Sequence, residues 1–577
     1  MTDLLLPPGV LLLCVVPALA LLPRILCRWI LALSPPLVLL YLWMLPENAA
    51  LSVHLAGFDL HLVQLSAMGR LFASAFLLAT WAGSLFAFPA QRREWCAAYL
   101  YAGSAVAISH CGDWISLFLF WEVMAVASTV LVWTGGFKQS AASGMRYLLV
   151  HLTGGVLLMS GIAAHLLAQD STLITPLTDG TVGSVLILAG FLVNAGAPPL
   201  SFWVADAYPQ SSPSAMVFLS ALTTKTAVFV LASCFAGWSI LIPIGGYMAI
   251  YGIIYALREN DVRRILAYSI VNQVGFMVVA IGIGGETAIN GVTLHALAHI
   301  FYKTVLVIAA GVILRETGAR HATQLGGLAR RYPLVTACTL IGAAASMGVP
   351  LTSSFISKGV ILQAAVEHHV LWIWVLLLAC SAAVAFNAGI RFPWLVFFRT
   401  QQKPLPEKPL QLCPSSLSAI LLPTLLCLAI GMFPQKLFAL LPFSAVYHPY
   451  TVLHMAEQFQ ILVPAIALFW WLRPLMVPRP LTQLDLDWLL RRLLFFAWEE
   501  GVLRLLYLSV NVRDVLLTSS VRGFKFLFRH YGPRGILARS WPTGSIALWV
   551  ALILASYVVL YSLQSRSLWQ FIHSSFS

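Results

Sequence analysis

Apolar runs of about twenty residues recur almost without pause from Leu4 to residue 473, and one more follows at 544–564. A helix of that length crosses ~30 Å of hydrocarbon, and hydrocarbon admits only helices or closed barrels because every backbone polar group must be paired internally. With 60% hydrophobic and 10% charged residues, a water-soluble globule could not cover itself with polar side chains. The chain therefore reads as an all-α polytopic membrane protein. Spans are placed near residues 4–22, 29–46, 68–90, 96–111, 114–134, 146–168, 183–206, 213–236, 238–257, 263–283, 288–314, 334–362, 368–397, 415–434, 452–473 and 544–564. The first run has no basic residue before it and no small-residue cleavage site, which fits a retained span rather than a signal peptide.

A formal charge of +13 would suggest nucleic acid for a soluble protein, but here the basic residues sit in short loops between spans. Arg24 and Arg28, Arg92 and Arg93, Lys138 and Arg146, Arg258 to Arg264, Arg315 to Arg331 and Arg399 to Lys408 follow odd-numbered spans. Asp113, Asp170, Asp179, Glu286 and Glu367 follow even-numbered ones. The positive-inside rule then places both termini on the outer side and leaves no role for nucleic acid. The nine cysteines are scattered without a Cys-x-x-Cys pair, so neither an iron–sulfur centre nor a zinc site has support. Gly282-Ile-Gly-Gly285 ends an apolar helix and reads as a turn rather than a phosphate loop. No cofactor is expected.

Two spans are interrupted by proline, at Asn194-Ala-Gly-Ala-Pro-Pro-Leu-Ser201 and at Gly348-Val-Pro-Leu-Thr-Ser-Ser-Phe-Ile-Ser-Lys358. A break in a buried helix frees carbonyls, which must face a cavity or a polar seam. The breaks lie about five spans apart, as two inverted repeats would place them. From Pro474 to Pro542 arginines alternate with Leu, Phe and Trp, a pattern too charged to span and too apolar to lie free in water. It fits an amphipathic segment on the cytoplasmic face or against a partner subunit. The resulting organisation is an N-terminal group of helices at 1–95, a central core at 96–400, further spans at 401–474, the amphipathic segment at 475–542 and a final span with its tail at 543–577.

Inside the predicted spans lie Glu122, Lys225, His295, His299, Lys303 and Lys358. Ionisable groups at that depth are costly, and they mark ion pathways more often than packing contacts when several helices each contribute one. His295, His299 and Lys303, spaced four apart, share one helix face. Such a set suggests a proton path. Asp261, Arg263 and Arg264, by contrast, open a helix and are explained by capping and charge anchoring. A sodium site cannot be nominated, because Thr223, Thr224, Ser269 and Asn272 are oxygen donors of a common kind.

Asp113-Trp-Ile-Ser-Leu-Phe-Leu-Phe-Trp-Glu122, Asp261-Val-Arg-Arg-Ile-Leu-Ala-Tyr-Ser-Ile-Val-Asn-Gln-Val-Gly275, the His295/His299/Lys303 helix, Leu325-Gly-Gly-Leu328 and Phe355-Ile-Ser-Lys358 occur in that order. Over roughly residues 60–400 the chain resembles the antiporter-like subunits shared by respiratory complex I, membrane-bound hydrogenases and Mrp-type cation/proton antiporters. His448-Pro-Tyr-Thr451 with Leu484-Asp-Leu-Asp-Trp-Leu-Leu-Arg-Arg492 looks most like the Mrp D-type subunit. The resemblance implies a 14-helix core of two inverted five-helix repeats with broken seventh and twelfth helices, plus the amphipathic segment and extra spans. It also implies a transporter subunit rather than an enzyme, in the inner (plasma) membrane of a bacterium, with other integral membrane subunits as partners and protons and Na+ as cargo. A proton-pumping arm of a redox complex is the alternative. On this resemblance Glu122 is the fifth-helix glutamate, Lys225 the eighth-helix lysine, His299 and Lys303 an eleventh-helix relay, and Lys358 the twelfth-helix lysine near a proton exit. Asn194 stands where the family usually has a lysine, and Ser201 where many members have a histidine. The expectation is that Asn194 lines the path as a neutral group and Lys225 is the cation facing Glu122.

Overall fold

The computed structural model describes residues 6–400 except 56, 170 and 179, residues 413–477 except 445 and 446, residue 485, scattered positions from 488 to 501, and residues 503–532 and 543–574. The chain divides into two compact units, Met1–Asp487 and Trp488–Ser577.

The first unit opens with Pro8–Cys14 (α1), Val16–Leu21 (α2) and Arg24–Met44 (α3), followed by an antiparallel hairpin of Ala50–Leu55 (β1) and Phe58–Gln64 (β2). The hairpin is not among the sequence-based expectations. Its alternating Val, Leu, Phe and His residues belong to no apolar run of span length, so a search for spans passes over them. Ala67–Phe86 (α4), Arg92–Ile108 (α5), Trp114–Trp133 (α6) and Ser140–Gln169 (α7) come next. Val182–Ala195 (α8) and Trp203–Ala207 (α9) form a broken span. Ala215–Ala221 (α10) and Thr223–Cys234 (α11) form a second interrupted span, which no proline marks in the sequence. Leu241–Arg258 (α12), Val262–Ile283 (α13) and Gly285–Thr317 (α14) precede a third break between Pro333–Met347 (α15) and Ser353–Glu367 (α16). Leu371–Val384 (α17) runs on through Arg391 and again over Trp394–Phe398 in wide π turns, and Pro414–Met432 (α18), Pro434–Phe438 (α19) and Val452–Leu472 (α20) close the unit.

Twelve helices or continuous helix pairs among the described residues are long and apolar enough to cross a membrane. Each predicted span falls on a helix or a broken pair. The expected helical polytopic architecture with broken helices is present. Both proline breaks are built alike: α8 ends at Gly196 with φ 82° and α15 at Gly348 with φ 81°, left-handed caps that glycine reaches without a Cβ penalty.

Two further details tie the halves of this unit together as repeats. The side chain of Asp113 caps α6 by accepting from the Ser116 N–H, and Asp261 caps α13 by accepting from the Arg263 N–H. Each aspartate also makes an isolated antiparallel bridge, Asp113 with Leu173 and Asp261 with His321. Both pairs recur 148 residues apart (113 to 261, 173 to 321), so α6–α7 and α13–α14 are equivalent in register.

The second unit contains Leu503–Tyr531 (α21) and Thr543–Ser574 (α22). Helix α21 interleaves Arg504, Arg513, Arg522, Lys525 and Arg529 with exposed Leu, Val and Phe and is not apolar enough to span, whereas Gly544–Ser562 within α22 is. Most of the Leu484–Arg492 motif, and residues 533–542 of the predicted amphipathic segment, lie outside the described residues.

Candidate proton path

Helices α13 and α14 are buried on all sides. They are almost uniformly apolar, so the few polar residues on them must find each other. Lys303 Nζ donates to Ser269 Oγ at 2.6 Å. Gln273 Oε1 accepts from Tyr302 OH at 3.0 Å and lies 3.2 Å from His295 Nε2, while Gln273 Nε2 donates to Asn272 Oδ1 at 2.5 Å. His295 Nδ1 lies 2.9 Å from Ser357 Oγ on α16. Lys358, one residue further along that helix, donates to the Ser346 carbonyl at 2.9 Å and to Ser381 Oγ at 3.4 Å. The Ser346 carbonyl lies in the last turn of α15, so the broken span supplies one of the acceptors for Lys358.

Lys225 repeats this device at the break that no proline marks. Its Nζ donates to the Ser220 carbonyl at 2.6 Å and to Thr224 Oγ1 at 3.1 Å, which places the ammonium across the junction of α10 and α11. His299 lies between these groups with both ring nitrogens buried and without a hydrogen-bond partner among the described residues. Its ring is 6.3 Å from that of His295 and 5.2 Å from that of Tyr302. Lys225, Lys303, His295 and Lys358 are all close enough to act electrostatically on it. The structure thus gathers Lys225, His299, Lys303, His295 and Lys358 into one buried row. None of the three lysines is in an ion pair among the described residues; each is held by carbonyls and hydroxyls. Burying several positive charges without counter-charges is costly, so the row favours few protons at a time and lets each charge repel the next.

Glu122 and Asn194 are not in this row. No described ionisable group acts on the half-buried Glu122 carboxyl, and Lys225 does not reach it. Glu122 Oε1 packs against Gly155 of α7, where a Cβ would collide with it, and makes no hydrogen bond. Asn194, fully buried at the end of α8, donates from Nδ2 to the Gly190 carbonyl at 2.9 Å and bonds through Oδ1 to His151 Nδ1. Ser201 is buried with its hydroxyl unpartnered. His151 escapes notice in the sequence because it stands alone, without the four-residue spacing that marks His295 and His299. Gln273, Ser357 and Tyr147 escape notice as well. The repeat register would find His151, since adding 148 brings it onto His299.

This architecture defines a class: a polytopic membrane protein with two repeats, broken helices and a buried lysine–histidine row. Comparison with known proteins points the same way: the central part of the chain is similar to antiporter-like membrane subunits. Residues 111–384 match the family described as NADH:quinone oxidoreductase/Mrp antiporter, transmembrane. The chain is 28% identical over 317 residues to NADH-quinone oxidoreductase subunit N of Desulforudis audaxviator, covering 51% of this chain and 63% of that one. It is 28% identical over 301 residues to the D-type subunit of the Na(+)/H(+) antiporter of Alkalihalophilus pseudofirmus, covering 48% and 59%. It thus spans less than two thirds of the length of either relative. Its fold is similar to that of a chain in the Mrp complex of Dietzia, with a TM-score of 0.72 and 20% identity over 96% of this chain and 62% of that one.

Proposed function

We propose that the chain is the proton-translocating subunit of a multisubunit antiporter that exchanges a monovalent cation, Na+ first among them, for protons across the inner (plasma) membrane of a bacterium. Other integral membrane subunits are its partners. The observation that carries this reading is the buried row of Lys225, His299, Lys303, His295 and Lys358, held by neutral acceptors alone. A proton arriving on one lysine repels the next. Two unit charges about 8 Å apart at an effective dielectric of 20 repel by ~2 kcal/mol, close to the ~2.3 kcal/mol that a unit charge exchanges with a 100 mV potential. Electrostatic coupling of that size is enough to link proton entry at one end of the row to release at the other. Glu122 and Asn194 line the approach to the row from the first repeat.

The similarity to a NADH-quinone oxidoreductase subunit favours a second reading, in which the same row is driven by a redox partner. The complex purified in mild detergent and reconstituted into vesicles with an internal pH dye separates the two. Antiport predicts small hydrophobic copurifying subunits and a pH change on adding Na+ or another monovalent cation. Iron–sulfur or quinone-reactive partners, with no response to cations, would contradict antiport.

A further inference from the structure

His151, held by Asn194, is a buried titratable group of the first repeat one helical turn from Gly155, against which the Glu122 carboxyl packs. Because Asn194 Nδ2 is committed to the Gly190 carbonyl, the amide presents its oxygen to His151. An amide oxygen only accepts, so His151 carries its hydrogen on Nδ1 and Nε2 is a bare lone pair. Nε2 is buried with no hydrogen-bond partner among the described residues. Tyr147 and Trp203 hold the ring, with centroids 4.1 and 4.7 Å away. Gly155, against which the Glu122 carboxyl packs, is four residues further along α7, one helical turn or ~6 Å of rise, on the same face as His151.

The repeat register adds a second argument. The 148-residue offset defined by the two capping aspartates places His151 on His299 and Gly155 on Lys303. In the second repeat that helix supplies both a histidine with free ring nitrogens and a lysine. In the first it supplies the histidine, and the missing side chain at Gly155 makes room for the carboxyl of Glu122 from α6. Beyond His151 lies a hydroxyl cluster: Tyr147 OH donates to Ser128 Oγ at 2.9 Å and is 3.5 Å from Thr223 Oγ1, which is 2.5 Å from Tyr101 OH. Thr223 opens α11, the helix that also carries Lys225.

We propose that His151 is the proton carrier of the first repeat, taking a proton from Glu122 at Nε2 and releasing it toward the Tyr147–Thr223 hydroxyls at the start of α11, the helix that carries Lys225. This deepens the function proposed above and rests on it. In the step, the Glu122 O–H bond breaks and an N–H bond forms at Nε2, with water bridging the turn between them. The resulting imidazolium lies one helical turn from a carboxylate, and release of the Nε2 proton toward the hydroxyl cluster returns the neutral ring. The groups in contact with His151 are Asn194 from α8, Trp203 from α9 and Tyr147 from its own helix; the Glu122 carboxyl from α6 lies against Gly155, one turn along, and Thr223 of α11 meets the Tyr147 hydroxyl.

The test is cation-driven proton flux across a pH series, in vesicles holding the complex with wild-type chain, His151→Gln or Lys303→Ala. Glutamine keeps a side-chain partner for Asn194 but cannot take up a proton. The expected result is flux at least tenfold lower for His151→Gln at wild-type abundance. Unchanged flux and pH profile for His151→Gln, with flux abolished by Lys303→Ala, would overturn the His151 role and leave the proposed function standing. Absence of flux in the wild-type complex would overturn both. If His151→Gln fails to accumulate, Asn194→Leu decides: it retains His151 but releases its tautomer, so a displaced pH profile supports the role and an unchanged one refutes it.

Discussion

Gln273 is the junction of the second repeat, and replacing it with leucine tests whether the polar row is a tuned network or incidental packing. Gln273 Nε2 donates to Asn272 Oδ1, so its Oε1 must accept from both Tyr302 and His295. His295 therefore carries hydrogen on Nε2 and accepts at Nδ1 from Ser357, a fixed tautomer with its lone pair toward α16, the helix of Lys358. Gln273→Leu nearly preserves volume but leaves the Tyr302 hydroxyl and His295 Nε2–H without acceptors and Asn272 Oδ1 without its donor. Each unsatisfied buried group costs ~1–3 kcal/mol. Relaxation of Tyr302 and the apolar gain of leucine offset part of that, leaving about 2–4 kcal/mol of destabilisation. With the tautomer free, a cost of ~1.4 kcal/mol to restore it slows transfer about tenfold. Thermal melting of the purified complex and dye-reported flux in vesicles are the assays. A Gln273→Leu complex that melts and transports like wild type would show that the network neither fixes His295 nor matters to transfer.

Other outcomes follow from the same geometry. Leu351, in the break between α15 and α16, has φ 69° with more than half its surface exposed; Leu351→Gly should relieve left-handed strain and raise melting slightly, by an amount on the order of 1 kcal/mol. Gly348→Ala should do the opposite, because the cap has φ 81° and a Cβ would stand 3.1 Å from Gln458 Nε2; melting curves of the two variants check both signs. Arg146 clasps Asp206 through two bonds of 2.7 and 2.8 Å, tying α7 to α9 beside the first break. Arg146→Ala should cost about 1 kcal/mol after allowing for the partial exposure of both side chains, seen as a lower melting point that high salt diminishes in the wild type.

The spans are legible in the sequence because each is a long apolar run, and both proline breaks are legible because proline and glycine leave a written mark. The break at Leu222 is not: its backbone departs from helix at φ −100° and ψ −78° amid ordinary residues, and only packing shows that Lys225 bridges the junction. The hairpin at 50–64 is hidden for a different reason, being too short and too mixed in polarity to register beside spans. Lys225, His295, His299, Lys303 and Lys358 stand out in sequence as charges in hydrocarbon, and they do come together. Glu122 stands out equally but lies apart from Lys225, because sequence distance along two helices says nothing of which faces meet. The neutral members of the network, Gln273, Ser269 and Ser357, carry no signal in a single sequence, since serine and glutamine are as often incidental as not.

The central claim is that protons move along the buried lysine–histidine row, and Lys303, the lysine that α14 contributes to that row, is where to test it. The decisive measurement compares proton flux in vesicles containing equal amounts of complex with wild-type chain or Lys303→Met, which keeps much of the side-chain bulk and removes the titratable amine. The account predicts loss of coupled flux with unchanged abundance and assembly. Wild-type flux from the Lys303→Met complex would contradict it and would make the row a packing feature.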